Sequence, residues 1–220
     1  MERHSLKDLE EMDVHPYSSS VPVGRIYDQL DSGQCGGCAG AYQLHEKEYL
    51  KGNDIYPSHT YIYGSDNERY ADGMYFDVLV VKLMNGVPLE NEFDSDFFNK
   101  EKSRMLVREH KNEYKRDYKV NGYKYLYTWK QVLNAIREYN GCILSVDVYE
   151  NWKTDENGII GKSKGKLIGR HLIFCKDYEQ LDDGSYRIRF VNSWGENWGD
   201  NGCGYLNNWI HSFHNAVAFY

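Results

Sequence analysis

Apolar residues return along this chain with two different periods, and the change falls past its middle. Phe76, Leu79, Val80, Leu83 and Met84 recur at the three- and four-residue steps of one buried helical face, between an Asp72-Gly73 turn and Asn85-Gly86. Trp129, Val132, Leu133, Ile136 and Tyr139 repeat that spacing and stop at Asn140-Gly141, a helix terminator. A further helix is predicted from Cys38, because Ala39, Ala41, Tyr42, Leu44, His45, Tyr49 and Leu50 follow with nothing from Gly40 to Tyr49 to break it. After Gly141 the step becomes two. Cys142, Leu144, Val146 and Val148 alternate with Ile143, Ser145 and Asp147, and Tyr186, Ile188 and Phe190 alternate with Arg187, Arg189 and Val191, which predicts strands. The run from Leu167 to Cys175 reads as another buried strand. The order predicts an α+β fold with a helical N-terminal lobe, residues 28–125, and a sheet or barrel in a C-terminal lobe, residues 126–220. Residues 1–27 form a short arm, since Pro16, Ser18-Ser19-Ser20 and Pro22 interrupt any long element. No internal repeat and no low-complexity segment is present.

Composition narrows the classes. At 220 residues and 41% hydrophobic, the chain buries an ordinary core, as one domain or two small lobes. A net charge of -7 and a pI near 5.6 argue against a nucleic-acid partner. The basic residues between Lys111 and Lys119 are interleaved with acids, a solvated surface. The longest plain apolar run, Val78-Leu79-Val80-Val81, is far short of the roughly 20 residues that span a bilayer. The first seven residues contain no apolar signal core. Five cysteines, an odd number, with no export signal, argue against a disulfide framework. Reduced thiols and a cytoplasmic setting, away from membranes, are the expectation.

The candidate chemistry comes from three separated blocks: Gly33-Gln34-Cys35-Gly36-Gly37-Cys38-Ala39-Gly40, Gly169-Arg170-His171 and Val191-Asn192-Ser193-Trp194-Gly195. His171 follows Cys38 by 133 residues and Asn192 follows by a further 21, the separation of groups that meet across two lobes. A thiol at the first turn of a helix is stabilised as thiolate by unpaired N–H groups and the positive dipole end, and a facing imidazolium adds to this. Cys38 is the expected nucleophile. Gly36 and Gly37 let the backbone turn tightly and approach a substrate. His171 pairs with the thiol and protonates the leaving amine; Asn192 fixes the orientation and tautomer of its ring. His45 is excluded as a partner, because seven helical residues separate it from Cys38 by roughly 10 Å. Taken alone, Cys35-Gly36-Gly37-Cys38 also fits a redox dithiol or half a zinc site. No second CxxC or suitably spaced Cys/His pair completes a metal site, so neither metal nor cofactor is expected.

These blocks resemble the papain-like (C1) cysteine peptidases, over about Tyr27 to Ile210, and the pattern is closest to bacterial and phage members without a propeptide. The most specific stretch is Asn192-Ser193-Trp194-Gly195-Glu196-Asn197-Trp198-Gly199. The resemblance implies that Trp194 shields the Asn192–His171 hydrogen bond, with Trp198 behind it. It also implies an oxyanion hole made by the Cys38 backbone N–H and an upstream glutamine. The family run of aspartate, glutamine, glycine, any residue and cysteine reads here as split, with Asp28-Gln29 followed by Leu30-Asp31-Ser32 as an insertion. Gln29 is favoured as the donor and Gln34 stays open. Ile62-Tyr63-Gly64 followed by Asp72-Gly73-Met74-Tyr75 implies that Gly73 lies along the substrate backbone; Gly36, Gly37 and Trp194 complete the substrate-facing set.

Three departures from the family stand beside the site: Ala39 for an aromatic after the nucleophile, Gly37 for serine or alanine, and Arg170 for asparagine or aspartate before the histidine. A cation beside His171 lowers its pKa unless the side chain points away. The implied activity is a thiol endopeptidase acting on polypeptides through a thioester acyl-enzyme. Two other readings stay open: a peptidoglycan endopeptidase or amidase on the same thiol, and a silent binding protein on the same fold. Control by a separate inhibitor or regulator stays open as well.

Overall fold

The computed structural model describes residues 4–64, 73–93 and 114–220. In chain order these contain α1 (Leu6–Glu11), α2 (Cys35–Tyr49), α3 (His59–Gly64), α4 (Phe76–Asn85), β1 (Tyr123–Leu126), α5 (Trp129–Tyr139), β2 (Cys142–Tyr149), β3 (Leu167–Gln180), β4 (Tyr186–Val191), β5 (Cys203–Asn207) and β6 (Asn215–Phe219). Asp72 of the expected turn and residues Lys111, Asn112 and Glu113 of the basic stretch lie outside the described residues.

The ends of α5 follow from its sequence. Thr128 accepts the Gln131 N–H at 3.1 Å, and Asn140 adopts the left-handed conformation at φ 56° that lets Gly141 N–H return to Ile136 O at 2.9 Å. The strands form one antiparallel sheet in the order β1-β6-β2-β3-β4-β5. It is open, with β1 and β5 at its ends, so of the two expected forms the structure has the sheet and not the barrel. Leu144 stands opposite Ile173, and Ile143 opposite Phe174. Because strand side chains alternate, Ile143, Phe174 and Val217 join the core around α2, while Leu144, Ile173 and Ala216 join the core around α5. β2 is therefore buried on both faces from Cys142 to Val146. The sheet is the middle layer, and its α2 side holds the site.

Helix α2 is buried almost all round, which explains its small residues. A Cβ on Gly37 would stand 2.3 Å from the carbonyl oxygen of His59, so the first turn of α2 packs backbone against backbone on the start of α3. The helix begins at Cys35, three residues before the expected start.

The first residues are more than an arm. Ser5 and Asp8 form a capping box that starts α1. Leu9 is buried with α5, where Asn134 Nδ2 donates to Leu9 O at 2.9 Å and Met12 O at 3.1 Å. Farther on, Ser19 meets a buried pair in which Lys176 of β3 donates to Glu46 of α2, and both charged side chains are 2% exposed. One cluster thus ties the N-terminal segment, α2 and the sheet together. Removing one partner strands the other charge in the core. Lys176→Met is expected to cost about 3–5 kcal/mol, read from the urea midpoint, and Lys176→Met with Glu46→Leu should recover most of it. Among the described residues no helix is long and apolar enough to cross a membrane.

Candidate active site

A cleft of about 1390 Å³ opens between the α2 side and the sheet, and Gln29, Cys35, Gly73, Arg170 and His171 are among the residues on its walls. Cys38 is not. It is 0% exposed and sits in the core with Tyr27, Tyr42 and Leu44. The reason is helical geometry. Cys35 is the first residue of α2 and half-buried at the cleft, whereas Cys38 lies one turn further in, and its N–H is already spent on Gln34 O at 3.0 Å. The first N–H groups of a helix have no such partner. The expectation of Cys38 as the cleft thiol therefore fails to match its position, and Cys35 occupies that place.

Electrostatics separate the two thiols further. Burial pushes Cys35 above the usual thiol value, while hydrogen bonds from the backbone of Leu172, Gly36 and Cys35 itself pull it down. Two of those groups belong to the N-terminus of α2, and the third is the neighbour of His171. Burial pushes Cys38 well above the usual value, Cys35 adds to the rise, and the nearby Ser193 hydroxyl opposes it.

His171 stands on β3 opposite Val146, and its Nε2 donates to Asn192 Oδ1 at 2.7 Å, which leaves Nδ1 as the acceptor nitrogen. Asn192 is held by its own backbone: its N–H donates to Gly202 O at 2.9 Å, and its carbonyl accepts the Tyr42 hydroxyl of α2 at 3.0 Å. Trp194 stacks on the His171 ring at 4.7 Å, and Trp198 meets Trp194 edge-on at 5.3 Å. Burial lowers His171 to about 4, and the bond with Asn192 opposes that shift. Arg170 is not among the causes; its guanidinium turns to Asp147 at 3.4 Å.

Gln29 reaches the cleft because residues 27–29 pair with residues 193–195. Gln29 N–H donates to Ser193 O at 2.8 Å and Gly195 N–H to Tyr27 O at 3.0 Å. Its side-chain carbonyl accepts the Ser193 hydroxyl at 2.6 Å and its Nε2 donates to Ser32 O at 2.7 Å. Gln34 is buried as the residue preceding α2 and is not on the cleft wall. Gly73 is on the wall, and a Cβ there would meet no protein atom within 4 Å, so internal packing does not require glycine. Gly36 and Gly37 do not line the cleft. Their missing side chains make room for Leu172 and Met74 at one position and for the His59 carbonyl at the other.

The sequence did contain a signal for Cys35. The run given above places its cysteine three positions after the glutamine and the expected nucleophile three further on, a span of six, and Gln29 precedes Cys35 by six without an insertion.

A thiol at a helix N-terminus and a histidine held by an asparagine line one cleft between helices and an antiparallel sheet, the parts a thiol hydrolase uses. Residues 24–213 match the family model described as Papain family cysteine protease, and the chain belongs to that family. It is a cysteine-type endopeptidase. Among solved structures, the chain is similar to xylellain, a cysteine protease from Xylella fastidiosa, at 20% identity, covering 97% of this chain and 88% of that one with a TM-score of 0.73. It is similar to proCathepsin B S9 from Trypanosoma congolense at 13% identity, covering 99% and 80% with a TM-score of 0.77. Bromelain from Ananas comosus, solved with the E64 inhibitor, matches at 14% identity over 90% and 93%, with a TM-score of 0.69. These likenesses establish the fold. No curated protein sequence matches the chain.

Proposed function

We propose that Cys35 is the nucleophile of this endopeptidase, with His171 as its proton acceptor and donor, Asn192 as the group that orients His171, and Gln29 as an oxyanion donor. The observation that carries this assignment is that Cys35 and His171 line one cleft, while Cys38 is sealed from it. Burial favours the uncharged form of both reacting groups, so the proton moves within the pair: Cys35 Sγ attacks the substrate carbonyl as its proton passes to His171. Negative charge then develops on the carbonyl oxygen. The second Nε2 hydrogen of Gln29 and the Cys35 N–H, which has no helical partner, are the donors for it. His171 returns the proton to the leaving amine, a thioester remains on Cys35, and water releases it.

The substrate is an extended peptide whose backbone runs past Gly73, and Trp194 serves as a shield for the His171–Asn192 bond and not as a substrate contact. Residues 28–125 and 126–220 act as the two walls of one catalytic unit. The five cysteines are free, which supports a reducing, cytoplasmic setting. The test is labelling of folded protein with a peptidyl thiol electrophile, followed by peptide mapping. A single label on Cys35, lost in His171→Ala and on denaturation, is the expected result. A label on Cys38, or equal labelling of the two thiols, would overturn the assignment.

A further inference from the structure

The catalytic scheme leaves Cys38 unused, although it is a buried thiol directly behind the nucleophile. We propose that Cys35 and Cys38 form a reversible disulfide, in which Cys38 resolves a sulfenic acid made on Cys35 by a hydroperoxide. The inference rests on the assignment of Cys35 as nucleophile and goes beyond it by giving the CxxC segment a second chemistry.

Three observations carry it. First, the two cysteines occupy the first and fourth positions of α2, which sets their Cα atoms about 5 Å apart by helix geometry. That lies within the range of roughly 4.4–6.8 Å that disulfides span. Second, the two residues between them are glycines, the residue type with the widest choice of backbone conformation for closing the bond. Third, the exposure is asymmetric. Cys35 is half-buried on the cleft wall, where a small peroxide reaches it, and Cys38 is 0% exposed and absent from that wall. A thiol reached from the cleft, with a second thiol protected behind it, is the arrangement a resolving cysteine requires.

The chemistry balances. The Cys35 thiolate attacks one peroxide oxygen, the O–O bond breaks, and the departing hydroxide takes the thiol's proton to leave as water, giving Cys35–SOH. Cys38 Sγ then attacks Cys35 Sγ, the S–S bond forms and the S–O bond breaks. The departing hydroxide takes the Cys38 proton as a second water. The two thiols lose two electrons and the hydroperoxide gains them. A dithiol reductant reverses the step by two thiol–disulfide exchanges and becomes a disulfide itself. Without Cys38, Cys35–SOH is open to further oxidation to the sulfinic acid, which dithiols do not repair.

The experiment oxidises the full chain with hydrogen peroxide, follows turnover of a fluorogenic peptide, and maps tryptic peptides without reduction. Both cysteines fall on the peptide from Ile26 to Lys47, while Cys142 and Cys175 fall on two other peptides. The expected result is loss of turnover together with an Ile26–Lys47 peptide two hydrogens lighter, both reversed by dithiothreitol. Cys38→Ala should start with wild-type turnover, gain two oxygens on Cys35, and stay inactive after dithiothreitol. Added oxygen on wild-type Cys35 with no internal disulfide, or a Cys142–Cys175 bond that accounts for the inactivation, would overturn the proposal. The wild-type map decides this even where the variant fails to fold. A portion of the protein labelled with the peptidyl electrophile before oxidation separates the two levels. A label on Cys38 removes the nucleophile assignment, and a label on Cys35 with no disulfide after peroxide removes only the redox inference.

Discussion

Cys35→Ala is expected to lower kcat/KM on a peptide substrate by roughly four to six orders of magnitude, while Cys38→Ala leaves it near wild type. The two cysteines lie three residues apart at the start of α2, yet their surroundings set opposite outcomes. Cys35 lies at the cleft, with unpaired helix N–H groups beside its sulfur and Leu172, the neighbour of His171, against it. Cys38 has its N–H bonded to Gln34 and its sulfur enclosed by the core, and burial holds its thiol protonated. Truncating it removes one buried sulfur, which costs about 1 kcal/mol of stability and no reacting group. Steady-state kinetics on both variants, with circular dichroism to verify folding, measures the contrast. Activity lost in Cys38→Ala and retained in Cys35→Ala would return the nucleophile to Cys38 and require the first turn of α2 to unwind.

The start of α2 at Cys35, where the sequence predicts it at Cys38, has a physical cause. Two consecutive glycines suggest a tight turn, and a helix starting at Cys38 follows from that. In the fold those glycines are helical because α2 must approach the His59 carbonyl within the space a Cβ would fill, a tertiary contact that leaves no periodic trace. The counting signal, Gln29 to Cys35 without a gap, was legible but gave way to the assumed insertion. Elsewhere local physics was enough. Thr128 and Asn140-Gly141 bound α5, and alternation marks β2 and β4, because caps and pleat are properties of short segments. Helix α1 was missed for the opposite reason. Six residues do not form a helix by propensity, and its capping box matters only once Leu9 and the Asn134 amide hold it against α5. The choice between sheet and barrel depends on which edges pair, and strand patterns do not encode that.

Mild acid is expected to destabilise the protein before most carboxylates titrate, because two buried rings are kept neutral by the fold. Burial, helped by the Arg25 charge, lowers His59 to about 3, and burial lowers His171 to about 4 against the opposing bond with Asn192. An unfolded histidine titrates near 6.5. Below that value the unfolded chain takes up protons that the folded chain refuses, so stability is complete above pH 6.5 and falls as the pH falls toward the folded values. Between pH 6.5 and 5 the two rings together withdraw roughly 3 kcal/mol, a large share of the 5–15 kcal/mol a domain commonly has. Glu46 and Glu90, both raised by burial, act in the opposite sense, so a control is needed. His59→Gln supplies it by removing one ring's share alone. Urea midpoints measured at intervals across this window should fall with a slope near two protons for wild type and near one for His59→Gln. A profile that is flat in wild type and unchanged in His59→Gln would mean that the rings accept protons in the folded state near the ordinary histidine value.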